Sequence, residues 1–559
     1  MSTAARTGTG TGTGPTGPER TAGGAGTRRA LNRRTFLAGS AAVTGAVTGG
    51  LTLPSPAVAA PATASRSAAP YLPDIQVRDA ARRDPTEATL TEAAVLMRQR
   101  KLTSVALTEA YLARIERYDA VYQAYAEVTA ERALDAARAA DRRATSRRGV
   151  LNGIPLCIKD NYFTRDVPTR CNSFIFEDFV PEYDATAVAR LTGAGGIVLG
   201  KGQMGPLATT RATRPNGTVT TVNAWTPDNP ATDPGGSSTG SACAVAGRLA
   251  ASAIGTQTGG SIVLPANRQN LTGLKPTMGR ASVYGVIPLS YTRDHPGPLA
   301  RDAMDAALML SVMAGPDPND PRTLGLPGVP DLVRAATPVR SRRGAVQLRH
   351  ATRIGVPATF LSGTATAVRS ALLDTLDAIP GVTLIDITYP ADWSLLTTTF
   401  NAARLPERTE PFRHWLREDP TKFGVSLLSW LQGLMISGDE WITAQRAKNH
   451  LLREVLDGIL DDCDVVLQTD VVPFDLLGLP LIGFPAGFVS GLPSGVLLGG
   501  QPYEEDRLLE VVAAYQAVTD WHTRRPADPT ATPTTALRSA GAGDPAPRLT
   551  AEEAAELSA

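Results

Sequence analysis

Four cysteines in 559 residues, at positions 157, 171, 243 and 463, form no C-x-x-C pair. That excludes a disulfide-dense scaffold and a cysteine-held metal, and the four read as reduced core residues with at most one disulfide among them. The five histidines are scattered, with no H-E-x-x-H or similar spacing, so no metal site is expected. No cofactor motif is present either. The formal net charge is only +1, and no basic run interrupts the body of the chain, which excludes the clustered footprint of a nucleic-acid binder. Nor is there a long uninterrupted apolar run: the mildest candidate, residues 36–53, is broken by Gly39, Gly45, Gly49 and Gly50, so no stable membrane span is expected. What is present is 43% hydrophobic residues over a long chain, enough for a sizeable core in one large domain or several ordinary ones.

The ends read differently from the middle. Residues 1–27 are rich in Gly, Thr and Ala with no periodicity, a composition that buries too little to fold. Asn32-Arg33-Arg34-Thr35-Phe36-Leu37 then forms a twin-arginine signature, and Ala57-Val58-Ala59 offers an A-x-A cleavage site. The expectation is a disordered leader and signal peptide over 1–60, read by the twin-arginine export machinery, a linker over 61–84, and an extracellular or cell-envelope location. A Pro-, Ala- and Thr-rich tail is expected over 523–559, with a short helix near 550–557.

Between these ends, 85–522 alternates helix and strand signals. Thr89 and Glu92 are spaced as a capping box, and Leu107, Tyr111, Ile115 and Tyr118 recur at helical spacing. Short β-rich runs appear at 153–158, 196–199, 353–356, 382–387, 465–468 and 496–498. The segment 397–460 reads as helical, and its Trp415, Trp430 and Trp441 as core more readily than as substrate contacts. Such alternation predicts an α/β layered fold.

The densest chemical signal is Gly235 to Pro276, where Gly235-Gly236-Ser237-Ser238 and Thr258-Gly259-Gly260-Ser261 flank a helix predicted over 241–253. A serine hydroxyl is a weak nucleophile that needs a base and donors aimed at the developing oxyanion. A glycine-rich turn lets successive N–H groups converge on one point, because no Cβ intervenes. Upstream, Lys159 ends the apolar run Gly153-Ile-Pro-Leu-Cys-Ile and is followed by Asp160-Asn161. A lysine at the end of an apolar strand is placed for burial, which lowers its pKa toward that of a usable base.

Together these segments resemble the amidase signature family. The likeness begins near Leu90 and continues through Gly200-Lys201, Gly273-Leu-Lys-Pro-Thr277 and Gly297-Pro-Leu-Ala-Arg301. It ends with Gly478-Leu-Pro and Phe484-Pro-Ala-Gly-Phe488. The resemblance implies a single large domain over 85–522, its central mixed β-sheet covered by helices on both faces. It implies hydrolysis of a carboxylic amide, small-molecule or peptide, by a Ser–Ser–Lys triad: Ser261 the nucleophile, Ser237 the relay behind a cis Gly236–Ser237 peptide, and Lys159 the base. The N–H groups of Thr258, Gly259, Gly260 and Ser261 would form the oxyanion hole, while Ser238 and Lys275 would brace the site. Two positions depart from the family pattern. Relatives carry Asp where this chain has Gln257, and Arg where it has Val263; losing both avoids a stranded buried charge.

Other readings are weaker. Gly236-Ser-Ser-Thr-Gly240 fits the G-x-S-x-G elbow with Ser238 as nucleophile, but that motif needs a buried strand before it. Three prolines at 227, 230 and 234 argue against one. Cys157 lacks a histidine partner. Esterase or acyl-transfer activity from the same triad stays open, as does a silent binding member or one acting within a tRNA-dependent amidotransferase; the export signal argues against the last.

Overall fold

The computed structural model describes residues 67–143, 148–213 and 220–530. The expected leader, the signal segment with its cleavage site, and the helix near 550–557 lie outside the described residues.

Eleven strands build one sheet. In chain order they are β1 (Tyr125–Val128), β2 (Pro155–Lys159), β3 (Ile197–Gly202), β4 (Ser252–Gln257), β5 (Thr272–Lys275) and β6 (His295–Ala300). After a separate hairpin of β7 (Val339–Arg340) and β8 (Val346–Gln347) come β9 (Thr352–Pro357), β10 (Val382–Ile387), β11 (Val465–Gln468), β12 (Leu481–Val489) and β13 (Leu492–Gly500). The spatial order is β1-β3-β2-β4-β6-β5-β12-β13-β11-β9-β10. β2 runs parallel to both β3 and β4, and β9 parallel to β10 and β11. The middle is antiparallel, from β4–β6 through β12–β13 to β13–β11. This is the mixed sheet expected of an α/β domain, and helices cover both faces.

All six β-rich runs read from sequence are strands. The helix Leu90–Arg98 carries the complete Thr89/Glu92 capping box, and Leu107, Tyr111, Ile115 and Tyr118 form the buried stripe of Ser104–Tyr122. The region 397–460 is helical, with Trp430 fully buried and Trp415 and Trp441 half-buried.

Three expectations need correction. The helix between the serines ends at Ala246 rather than 253, because Gly247 closes it and Arg248 turns the chain at φ +62°. Residues 252–257 are instead a buried strand leading straight into Thr258. The linker is part of the fold from residue 67: Ala68 N–H donates to Val329 at 3.0 Å, and the Arg78 guanidinium grips Glu92 of the capping box at 2.7 Å. The folded body also runs past His522. Asp528 accepts hydrogen bonds from Arg114, Arg248 and Tyr118, which ties residues 523–528 to it.

Asp305, fully buried, secures the opposite end of the chain. Its carboxyl accepts the N–H groups of Leu90 and Thr91 at 2.8 and 2.9 Å, and the Thr91 hydroxyl at 2.7 Å, across more than 200 residues of sequence. Asp305→Ala leaves those buried donors unpaired. Unfolding free energy is expected to fall by about 2–4 kcal/mol, measured by urea denaturation.

Candidate active site

β2 and β4 are neighbours and parallel, so the segments following both emerge at one edge of the sheet, with Ile158 opposite Ile254. Crevices beyond the carboxyl ends of parallel strands are where α/β folds commonly place their chemistry. Lys159, the last residue of β2, is fully buried there. Its Nζ lies 2.8 Å from Ser237 Oγ, 2.8 Å from Thr256 Oγ1 and 3.2 Å from the Thr256 carbonyl. Among the described residues no carboxylate is bonded to it, and burial lowers its pKa to about 7. Asn161 Nδ2 donates to the same Thr256 hydroxyl at 3.0 Å, so that oxygen accepts from both the amide and the lysine. Lys201, by contrast, is held off the site by Asp160, Thr169 and the Tyr162 carbonyl.

The Gly236–Ser237 peptide is cis. The Ser237 carbonyl accepts from Gly205 N–H at 3.1 Å, and Ser238 Oγ donates to the Thr256 carbonyl at 3.3 Å. Ser238 therefore braces β4, and no strand precedes it. Gly236 is required by crowding: a Cβ would sit 2.6 Å from the Arg211 Cα. Lys275 likewise braces the sheet, donating to the Leu479 carbonyl at 2.5 Å.

Ser261 lies on the turn that leaves β4, 8% exposed, and its carbonyl accepts from Ser238 N–H at 3.3 Å. Both serine segments are thus joined. The hydroxyls of Ser237 and Ser261 share no hydrogen bond. Among the described residues nothing accepts the N–H groups of Gly259, Gly260 or Ser261. Gly259 is exposed, and Gly260 turns at φ +99°. Thr258 is anchored through its hydroxyl to Asp294, whose carboxyl also takes the N–H groups of Leu289 and Ser290.

The next two N–H groups, of Ile262 and Val263, are accepted by Gln257 Oε1 at 2.9 and 3.0 Å. Gln257 Nε2 in turn donates to Asp475 at 2.7 Å, and the other Asp475 oxygen accepts from Arg293 at 2.8 Å. Arg293 and Asp475 are both fully buried. The two departures thus leave no orphan: Val263 is apolar core, Gln257 is the hinge of the turn, and a charge pair lies one residue deeper.

Of the residues singled out from sequence, the structure brings Lys159 against Ser237 and joins the Ser237 and Ser261 segments; Thr256, Asp294, Arg293 and Asp475, which border them, were not singled out. Thr256 stands inside the glycine-serine run and was within reach. Arg293 and Asp475 are 182 residues apart, and no local pattern announces them. Cys157 is buried with its thiol pushed up to about 12 by burial, so it is inert. All four cysteines are free. Among the described residues no cluster of His, Cys, Asp or Glu could hold a metal ion, and no helix is long and apolar enough to cross a membrane.

Comparison with known proteins gives a consistent result. The family described as Amidase matches residues 106–468. The A subunit of the glutamyl-tRNA(Gln) amidotransferase from Chloroflexus aggregans is 35% identical over 491 residues, covering 78% of this chain and 98% of that protein. Among solved structures, the peptide amidase from Stenotrophomonas maltophilia superposes with TM-score 0.65 at 27% identity, covering 79% of this chain and 98% of that one. An amidase family protein from Bacillus anthracis str. Ames superposes with TM-score 0.68 at 26% identity, covering 80% and 93%.

The Gln257 hinge is testable on its own. Gln257→Leu strips the acceptor from two buried N–H groups and a donor from Asp475. A loss of about 2–3 kcal/mol is expected, measured by chemical denaturation.

Proposed function

Because this chain belongs to the amidase family and is an enzyme acting on C–N amide bonds, we propose that it hydrolyses a carboxylic amide through an acyl-enzyme on Ser261. Ser237 relays the proton and Lys159 is the base. The observation that carries this is the contact of a buried lysine, which has no carboxylate partner among the described residues, with the Ser237 hydroxyl at 2.8 Å.

A neutral amine has two N–H donors and one lone pair. With the two donors directed at Thr256 Oγ1 and the Thr256 carbonyl, the lone pair of Lys159 faces Ser237 Oγ. Lys159 takes the Ser237 proton as Ser237 takes that of Ser261, and Ser261 Oγ attacks the carbonyl carbon. Negative charge develops on the carbonyl oxygen beside the unengaged N–H groups of Gly259, Gly260 and Ser261, with Thr258 steadied by Asp294. On collapse the C–N bond breaks, Ser237 protonates the departing amine and recovers a proton from Lys159. Water then cleaves the ester by the same relay in reverse.

The same acyl-enzyme would accept esters, or an acceptor other than water. The Chloroflexus relative is named for amidotransfer and the Stenotrophomonas neighbour for peptide amides; a hydrolysable amide is the element common to both. For the leader we propose twin-arginine export, with the enzyme working outside the cytoplasm. Replacing Arg33 and Arg34 by Lys is expected to retain the protein inside cells, read by fractionation.

Since the base acts only when neutral, protonation below about pH 7 removes activity. The rate is expected to rise with pH through an apparent pKa near 7 and level off above it; a flat profile from pH 6 to 10 would rule out a lysine base. A fluorophosphonate probe is expected to add once to wild type, not to Ser261→Ala, and more slowly to Lys159→Ala, read by intact mass. Labelling that survives Ser261→Ala would place the nucleophile elsewhere.

A further inference from the structure

One corner of the site holds more positive charge than its neighbours neutralise. Arg293 is fully buried, and only Nη2 is engaged, with Asp475; Nε and Nη1 have no hydrogen-bond partner among the described residues. A Cβ placed on the exposed Gly259 would lie 4.0 Å from Arg293 Nη2 and 3.8 Å from Phe400 Cζ, so both side chains border the turn that carries Ser261. Phe400 is sandwiched between cations, with the guanidinium groups of Arg293 and Arg404 at 4.2 and 4.6 Å from its ring centre.

Three further cations face this corner, and none has a carboxylate partner among the described residues. Arg404 donates only to Asn401, Arg408 only to Ser429, and Lys448 only to the Thr292 carbonyl. The nearby acids are already committed. Glu407 is saturated by Ser290, Thr292, Trp441 and Gln445, Asp294 by Thr258, Leu289 and Ser290, and Asp475 by Gln257 and Arg293. Burial, followed by the charge of neighbouring arginines, lowers the pKa of Arg404 to about 9, of Arg408 to about 10 and of Lys448 to about 8. Four cations beside three carboxylates leave one positive charge over, and leaving buried cationic donors unpaired is costly, so the corner is suited to one further anion. The unpaired Nε and Nη1 of Arg293 are charged N–H donors of the kind that bind a carboxylate.

We propose that the amide substrate bears a carboxylate on its acyl part, received by Arg293 with Arg404, Arg408 and Lys448 around it. This rests on the acyl-enzyme reading above. The acyl side follows from placement: Arg293 borders the Gly259–Ser261 side of the turn, where the acyl group stays attached. The departing amine meets Ser237 and Lys159 instead.

The test compares kcat/KM for the monoamides of succinate and glutarate with butyramide and valeramide, which put a methyl where the carboxylate stands. Wild type is expected to prefer the acids at least 30-fold. That ratio should fall at least tenfold in Arg404→Gln and in the charge-neutral double variant Arg293→Met/Asp475→Asn. A merely structural role would lower both substrates together and leave the ratio unchanged, which would overturn the proposal, as would a wild-type preference for the neutral amides. Independently of turnover, succinate and glutarate should raise the melting temperature of wild type and not that of Arg404→Gln; no shift in wild type would also overturn it. Fluorophosphonate labelling separates the two readings. Loss of labelling at Ser261 sinks the acyl-enzyme while leaving dicarboxylate binding measurable, whereas intact labelling without carboxylate preference sinks this inference alone.

Discussion

The structure depends most on the desolvation of one ammonium group. Lys159 is carried into the interior as the last residue of β2, inside a strand buried along its whole length, and meets hydroxyl and carbonyl oxygens with no carboxylate among them. A buried charge without a counter-ion is costly, and burial lowers the pKa of this ammonium group to about 7. The neighbouring elements make that burial possible. β3 and β4 cover both edges of β2, and Ser241, bonded to the Ile254 carbonyl, packs the serine helix onto β4.

A division of labour among buried cations follows. Lys201, one strand away, is equally buried but has Asp160 beside it, and so serves as a brace. Lys275 is spent on the carbonyls of a neighbouring strand. Arg293 lies between these cases, paired on one nitrogen and unpaired on two. Charge state in this protein is decided by which partners the sheet brings within reach, and residues of the same type end in different roles.

How much of this could be read beforehand depended on locality. Lys159, Ser237 and Ser261 each sit in a short run whose composition carries its own physical reason: a lysine closing an apolar strand, or serines among glycines. Six strands were legible because they lie in β-rich runs, such as Val382–Ile387. β1, β4, β5, β6 and β12 were not. β6 reads His295-Pro-Gly-Pro-Leu-Ala, with two prolines in the middle of a sheet, where the rule excludes them; it is a strand because β4 and β5 flank it. β4 is Ser-Ala-Ile-Gly-Thr-Gln, whose first two residues fell at the end of the small-residue run read as helix, and tertiary contacts decided otherwise. The Arg293–Asp475–Gln257 network was beyond reach for a simpler reason: its members meet only after folding.

That network has a consequence for the order in which the protein comes into being. The turn bearing Ser261 is held by Gln257, and Gln257 is held by Asp475, 218 residues further along the chain; β5 likewise waits for β12. A ribosome delivers the serines, the lysine and their glycine turns long before it delivers the residue that locks them. For more than 200 residues of synthesis these segments exist without their clamp. The geometry of the Ser261 turn is therefore fixed only after Asp475 has been made, late relative to the serines and the lysine themselves.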